Sequence, residues 1–185
     1  MPKPSAKPFR STLSVRVLLL LALVAGALGQ PREASAQADA TVVYLVRHAE
    51  RAEDGTNDPP ISDAGQARSA LLAEMLRDAG ITRIHTTDFK RTRSTGAPTA
   101  RETGVEMVLY DPRDLPGFAA ELRATPGRHL VLGHSNTTPQ LVEALGGDPG
   151  HPIEEMEYDR LYVVTLTDAG ASTVLIRFGD RFGGE

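Results

Sequence analysis

Short apolar runs alternate with segments of helical periodicity through the middle of the chain. Residues 41–46 form a continuous apolar run, which is typical of a strand buried on both faces of a sheet. Similar runs at residues 81–86, 105–110 and 129–133 predict three further strands. In the segments between them, apolar residues recur three or four positions apart, as on one face of a helix. The pattern therefore predicts strands and helices in strict alternation.

Four helices are predicted in these segments, with starting points near Ser62, Asp88, Asp114 and Thr137. Ser62 is a good N-cap, and Gly80 is a natural end for the helix that it opens. The second helix contains Arg91 and should be kinked or ended by Pro98. The third extends from its Asp114 cap to about Ala124.

Two apolar segments near the C-terminus, residues 161–166 and 173–178, flank a turn at residues 167–170 and predict a β-hairpin. Together with the preceding order of elements, this hairpin indicates an α/β fold. We expect a three-layer α/β/α sandwich around a mostly parallel central sheet of about six strands.

The strand assignment places four basic side chains at one edge of this sheet. Arg47 and His48 end the first strand, and His134 ends the fourth. Arg91 lies in the first turn of the helix that follows the second strand. Ligands of such sheets bind outside the carboxyl ends of the strands, so we expect these residues to converge on one site.

The first 38 residues have the organisation of a secretory signal peptide. A basic start precedes an apolar run from about Val17 to Leu28, and Ala36-Gln37-Ala38 offers a cleavage site before Asp39. The apolar run is shorter than the roughly 20 residues that a membrane span requires. We expect a periplasmic or secreted mature protein without a stable membrane span. The long interval between the apolar run and Ala38 leaves an uncleaved anchor as the alternative.

Charge and composition exclude several classes of function. Residues 1–38 carry five of the 20 basic and one of the 24 acidic residues, which leaves 15 and 23 and a net charge of −8 in residues 39–185. A nucleic-acid-binding protein would need a basic face, so no nucleic-acid partner is expected. The chain has no cysteine, which excludes disulfides, thiolate catalysis and a cysteine-based zinc site.

Two histidines and two arginines at one edge suit a phosphorylated ligand. Guanidinium groups bind phosphate oxygens in a bidentate manner and stay charged. A neutral imidazole can attack phosphorus and form a phosphohistidine, while the surrounding cations stabilise the phosphoryl oxygens. We therefore expect phosphoryl chemistry on a small phosphorylated substrate, with no metal and no cofactor.

Four segments that carry these residues resemble the histidine phosphatase superfamily, also called phosphoglycerate mutase-like, and in particular its small exported members. The segments are VYLVRHAE at 43–50, ISDAGQA at 61–67, TTDFKRTRST at 86–95 and VLGHSN at 131–136. The resemblance covers essentially all of residues 39–185 and implies the same sandwich fold. The usual glycine after the arginine-histidine pair is replaced here by Ala49.

The resemblance also implies the roles of the four residues. His48 would be the nucleophile, Arg47 and Arg91 would hold the phosphoryl group, and His134 would donate a hydrogen bond to a phosphoryl oxygen. The activity implied is metal-independent hydrolysis of a small phosphomonoester. The alternatives are a mutase of the phosphoglycerate type, a phosphohistidine-protein phosphatase and a non-catalytic phosphate-binding domain. The leader and the short chain argue against the mutase, and the sequence does not indicate an oligomeric state.

The proton donor for the leaving group stays open among the carboxylates Asp111, Asp114, Glu50 and Asp159. Asp114 is equally well explained as a helix N-cap, and Glu50 as an ion-pair partner that orders its loop.

Three further expectations concern neighbouring positions. Arg51 either contacts phosphate or pairs with Glu53 or Asp54. His129 has no evident partner, and the acidic run at residues 154–157 is typical of a solvated loop.

Overall fold

The computed structural model of the protein describes residues 40–183. The predicted signal peptide or anchor at residues 1–38 lies outside the described residues.

Six strands and four helices alternate along the described chain, as the sequence pattern predicts. The strands are β1 (Thr41–Arg47), β2 (Arg83–Thr86), β3 (Met107–Leu109), β4 (Arg128–Gly133), β5 (Arg160–Thr167) and β6 (Gly170–Arg177). The helices are α1 (Asp63–Leu76), α2 (Lys90–Thr103), α3 (Leu115–Ala124) and α4 (Thr137–Ala144). The second and third strands are shorter than the apolar runs that predicted them.

The strands form one sheet in the order β3-β2-β4-β1-β5-β6. Strands β3, β2, β4 and β1 are parallel, whereas β5 lies antiparallel to β1 and forms the predicted hairpin with β6. The expected mostly parallel sheet is confirmed, with the antiparallel step at β5. Because β1 and β4 are central neighbours, the residues that follow them emerge side by side.

Each face of the sheet carries its own apolar core. Helices α3 and α4 pack on one face, where Val43 and Leu45 of β1 join their side chains. Helix α1 covers the other face, where Val46 and Tyr44 contact the second core, and Ala100 of α2 packs there as well. Alternate residues of β1 thus enter opposite cores, which explains its continuous apolar run and confirms the three-layer sandwich.

Helices α1 and α3 begin at their predicted capping residues, whereas α1 ends at Leu76, before the predicted stop at Gly80. The Ser62 side chain accepts a hydrogen bond from the N–H of Gly65, and the Asp114 side chain accepts one from Gly117. The alternative that Pro98 ends α2 is wrong, because the helix continues through it to a left-handed cap at Gly104. Thr99, the residue after the proline, is buried in this continuation.

None of the helices within residues 40–183 combines the length and apolar character that spanning a bilayer would require.

Candidate active site

The carboxyl ends of β1 and β4 place two histidines next to each other. Arg47 is paired in register with Gly133, and the N–H of His48 donates to the Gly133 carbonyl at 2.9 Å. His134 follows directly, so the two imidazole rings lie with their centroids 5.5 Å apart in an edge-on arrangement. The convergence expected from the strand order is therefore present.

These histidines and both arginines line a cavity of about 610 Å³ at this edge of the sheet. Its walls come from β1, the start of α2, the segment before α3, the start of α4 and the segment before β5. The lining residues are Arg47, His48, Arg51, Phe89, Arg91, Pro112, Arg113, His134, Ser135, Asn136, Thr137, Ile153 and Glu155.

The hydrogen bonding of His48 fixes which of its ring nitrogens carries a proton. Its Nδ1 lies 2.8 Å from the carbonyl oxygen of Ala49, which can only accept a hydrogen bond. Nδ1 is therefore the protonated nitrogen, and Nε2 keeps its lone pair. Burial lowers the pKa of His48 to about 3; the bond to Ala49 opposes this shift, and the Arg47 charge adds to it. The imidazole is thus neutral at ordinary pH and has the form that a nucleophile requires.

A threonine joins the His48 loop to the first turn of α2. The N–H of Ala49 donates to Oγ1 of Thr95 at 2.9 Å, and this hydroxyl donates to the Arg91 carbonyl at 2.7 Å. Through Thr95, the loop at Ala49 and the helix turn at Arg91 are held at a fixed separation.

Arg47 is buried and held by the segment that precedes β5. Its Nη1 donates to the carbonyls of Glu154 and Glu157 at 2.9 and 3.0 Å. Its guanidinium carbon lies 4.1 Å from the centroid of the Tyr158 ring. These contacts use one end of the guanidinium and one of its faces, so the cation is fixed in orientation.

Arg91 is held by an aromatic face and by a single carboxylate. Its guanidinium carbon lies 4.3 Å from the centroid of the Phe89 ring, and its Nη1 lies 3.5 Å from the Asp58 carboxylate. Within residues 40–183, the buried Nε atoms of Arg91 and Arg47 have no hydrogen-bond partner. The cavity thus combines two cations with unused donor capacity, as an anion site should.

His134 contacts groups from two other elements. Its Nε2 lies 3.0 Å from the Thr87 hydroxyl, and its ring meets the Phe89 ring edge-on at 5.1 Å. Burial lowers the pKa of His134 to about 4, and the charges of Arg91 and Arg47 act in the same direction. This second imidazole is therefore also neutral at ordinary pH.

Comparison with known proteins agrees with this arrangement. Residues 43–113, which include Arg47, His48 and Arg91, match the sequence model of the histidine phosphatase superfamily (branch 1). Over these residues the chain is similar to the histidine phosphatase superfamily. A curated relative, the probable phosphoglycerate mutase GpmB of Photorhabdus laumondii subsp. laumondii, is 38% identical over 77 residues, which are 38% of this chain and 35% of that protein. The chain thus spans about a third of the length of the curated relatives it matches.

Solved structures of two phosphatases share the fold. The protein histidine phosphatase SixA in complex with tungstate aligns with a TM-score of 0.63 at 21% identity, covering 74% of this chain and 96% of that one. The mycobacterial glucosyl-3-phosphoglycerate phosphatase aligns with a TM-score of 0.59 at 14% identity, covering 75% and 98%.

The carboxylates predicted as proton donors form contacts with other parts of the protein. Glu50 receives the Nε of Arg68 at 2.9 and 3.0 Å, so it has the loop-ordering contact that the sequence allowed. Asp114 is exposed and caps α3. Neither side chain lines the cavity, and the geometry of Asp114 favours its capping role.

The other two candidates are also ion-paired. Asp111 is bound by Arg113, which lowers the pKa of that carboxyl to about 2. The segment before β5 does fold back over the site, but buried Asp159 lies 2.6 Å from the Arg177 guanidinium. Their roles as proton donors stay predictions.

Sequence reasoning missed Glu155, the one carboxylate among the described residues that line the cavity. It pairs with Arg51 at 2.8 Å across the exposed mouth, whereas Glu53 or Asp54 was the expected partner. The acidic run gave no sign of this contact, because only the tertiary fold brings residues 51 and 155 together.

The prediction of a solvated loop at residues 154–157 is wrong for Glu157, which is 2% exposed. Its carboxylate accepts from Arg160, Arg177 and the N–H of Glu154. Burial acts to raise the pKa of Glu157, but these hydrogen bonds outweigh it and hold the pKa at about 2. This anion fixes the segment whose carbonyls bind Arg47.

His129 also has partners that the sequence did not reveal. Its Nδ1 lies 3.0 Å from Nε2 of His85, and its Nε2 lies 2.9 Å from the Thr125 carbonyl. Both rings are buried between the sheet and α3, away from the cavity.

Proposed function

We propose that the protein hydrolyses small phosphomonoesters through a phosphohistidine formed at His48. The observation that carries this proposal is the neutral imidazole of His48, protonated on Nδ1 and bearing its lone pair on Nε2, in a cavity that Arg47 and Arg91 also line. The match of residues 43–113 to the histidine phosphatase superfamily supports the same chemistry.

In the first step, Nε2 of His48 attacks phosphorus. The N–P bond forms while the ester P–O bond breaks, and the leaving oxygen departs with the electron pair and takes up a proton from solvent water. Arg47 and Arg91 stabilise the negative charge on the phosphoryl oxygens, which is most of what phosphoryl transfer requires. The proton stays on Nδ1, which continues to donate to the Ala49 carbonyl, and this hydrogen bond stabilises the positive charge that develops on the ring.

In the second step, water attacks phosphorus and the N–P bond breaks. Inorganic phosphate leaves, and the imidazole of His48 returns to its neutral form.

We infer that the preferred substrates have weakly basic leaving groups. The four carboxylates predicted as donors are capping or ion-paired, and Glu155 forms an ion pair with Arg51. An ionised carboxylate cannot protonate a leaving group, whereas an aryl oxygen departs without such help.

The engagement of the candidate proton donors in caps and ion pairs favours a second candidate, the dephosphorylation of phosphohistidine. This reaction needs no separate proton donor because a protonated imidazole is itself a good leaving group. The likeness of the fold to the protein histidine phosphatase SixA supports this alternative. Rates on a phosphohistidine peptide, p-nitrophenyl phosphate and glycerol phosphate separate the candidates. A preference of at least about tenfold for the peptide over the aryl ester would favour the second.

Substitution of the nucleophile tests the main proposal. His48→Ala should lower the hydrolysis of p-nitrophenyl phosphate by at least about a thousandfold, since it removes the group that forms the covalent intermediate. The parent protein, quenched during turnover, should carry an acid-labile and base-stable phosphoryl group that this variant lacks. Hydrolysis by His48→Ala at the parent rate would overturn the assignment. Loss of activity in EDTA that a divalent metal restores would overturn the metal-free mechanism.

Arg91 offers a matched comparison within one helix. Arg91→Ala removes a cavity-lining cation and should lower kcat/KM by roughly 10²–10³-fold. Arg93→Ala removes an exposed guanidinium that pairs with Asp88 and should leave kcat/KM within about twofold. Equal losses in the two variants would contradict a specific role for Arg91.

We also propose that the protein is exported to the periplasm or secreted. The basic start, the apolar run and the Ala36-Gln37-Ala38 site support this location. Mass spectrometry of the exported protein should show an N-terminus at Asp39. A full-length protein in the membrane fraction would support the uncleaved anchor instead.

A further inference from the structure

The two ring nitrogens of His134 have different surroundings. Nε2 lies 3.0 Å from the Thr87 hydroxyl, whereas Nδ1 makes no hydrogen bond with residues 40–183 and the side chain lines the cavity. A neutral imidazole carries one proton, so the nitrogen that holds it decides whether the cavity meets a donor or an acceptor.

A second buried hydroxyl extends this contact into a chain. Thr87 Oγ1 lies 3.0 Å from Thr92 Oγ1, and both side chains are fully buried. The Thr92 hydroxyl also lies 3.0 Å from the Thr87 carbonyl and 2.9 Å from that of Phe89. The chain therefore has two possible directions, towards His134 or away from it.

Two observations favour the direction towards His134. Both carbonyls have another donor, since Thr87 O accepts from the Thr86 hydroxyl at 3.1 Å and Phe89 O accepts from the N–H of Arg93 at 3.1 Å. The Thr92 hydroxyl can therefore donate to the Thr87 hydroxyl without leaving either carbonyl unpaired.

The cations around the ring supply the second observation. Burial, Arg91 and Arg47 lower the pKa of His134, and the neighbouring His48 is neutral, so a doubly protonated His134 is disfavoured. A neutral His134 donates into the cavity only if its single proton lies on Nδ1.

We propose that the hydroxyls of Thr92 and Thr87 form a relay that donates to Nε2 of His134 and holds this ring as the Nδ1–H tautomer. The tautomer then presents an N–H to a phosphoryl oxygen, an assignment that rests on the proposed function. Thr87 and Thr92 are positioning residues, because they act through His134. The two histidines then present opposite groups to the cavity, a lone pair on His48 and a donor on His134.

Nitrogen-15 NMR of the purified protein with labelled histidine tests the tautomer directly. Protonated and unprotonated ring nitrogens differ widely in chemical shift, and His134→Gln identifies the His134 signals. We expect Nδ1 of His134 to be protonated and Nε2 to be unprotonated. This state should persist when tungstate, a tetrahedral dianion, is added. Protonation of Nε2 alone, or of both nitrogens, would overturn the proposal.

Three variants separate the relay from a purely structural role. Thr87→Val removes the hydroxyl and should populate the Nε2–H tautomer, with a loss in kcat/KM for p-nitrophenyl phosphate of roughly five- to tenfold. Thr87→Ser should restore both the tautomer and the rate. Thr99→Val is the matched control, because the buried Thr99 hydroxyl has no partner among residues 40–183 and its loss should change neither measurement.

Each result has a distinct meaning. An unchanged His134 tautomer in Thr87→Val would overturn the relay even if activity fell. The NMR readout needs no turnover, so it decides on the relay even in a protein that proves inactive. Failure of the protein both to hydrolyse phosphomonoesters and to bind tungstate would contradict the proposed function. The tautomer of His134 in the free protein would still test the relay in that case.

Discussion

Acid should destabilise the fold through a pair of histidines that lies outside the active site. His85 of β2 and His129 of β4 stack with their ring centroids 5.3 Å apart and share a hydrogen bond of 3.0 Å. The Thr125 carbonyl can only accept, so it fixes the proton of His129 on Nε2, and His85 then donates to Nδ1 of His129. His129 must be neutral for this arrangement because its Nδ1 accepts, and burial favours the neutral form of His85.

The size of the effect follows from the pKa of His85, which burial lowers from 6.5 to about 4, with the neighbouring His129 and Arg83 acting in the same direction. Between these values the unfolded chain binds the proton and the folded chain does not. The stabilisation is therefore fully present above about pH 6.5 and is lost as the pH falls towards about 4. Linkage gives a loss of about 2 kcal/mol from His85 alone between about pH 7.5 and about pH 5.

Urea unfolding followed by far-ultraviolet circular dichroism at several pH values measures this loss. His85→Gln keeps an N–H donor but cannot titrate. Between about pH 7.5 and about pH 5, the free energy of unfolding of this variant should therefore decrease by about 2 kcal/mol less than that of the parent. His151→Gln is the control, since exposed His151 has no such contact and the parent pH dependence should persist. If His85→Gln retained the full acid dependence of the parent, the buried pair would not be its source.

Three further predictions concern the cavity and its support. Glu155→Gln should change kcat/KM for p-nitrophenyl phosphate less than about threefold, and a loss above about tenfold confined to alkyl phosphates would identify this residue as the proton donor. Glu157→Gln should weaken the segment that binds Arg47 and lower kcat/KM by about tenfold or more, measured with a thermal-unfolding control. Gly133→Ala should destabilise the protein by roughly 1–3 kcal/mol in urea unfolding, because the new methyl group would lie 2.7 Å from the Thr138 hydroxyl.

The parts of the fold that could be predicted from the sequence are those with strong local signals. The apolar run of β1 predicted a central strand, and β1 does lie between β4 and β5. Its residues enter both cores because helices pack on both faces of the sheet. The order of strands and helices then placed His48 and His134 at the same edge, since they follow neighbouring parallel strands. Ser62 and Asp114 marked the starts of helices because each offers a side-chain acceptor to the first turn.

The support of the site was not predictable, because it depends on charges brought together over long distances. The hairpin register places Arg160 directly opposite Arg177, and two facing cations are unfavourable without an anion between them. Glu157 supplies that anion and receives both guanidinium groups. The same carboxylate accepts the N–H of Glu154, so the backbone of its segment is fixed where it binds Arg47. An acidic run that resembles a solvated loop thus neutralises the hairpin and also orients an active-site cation, and neither role follows from residue spacing.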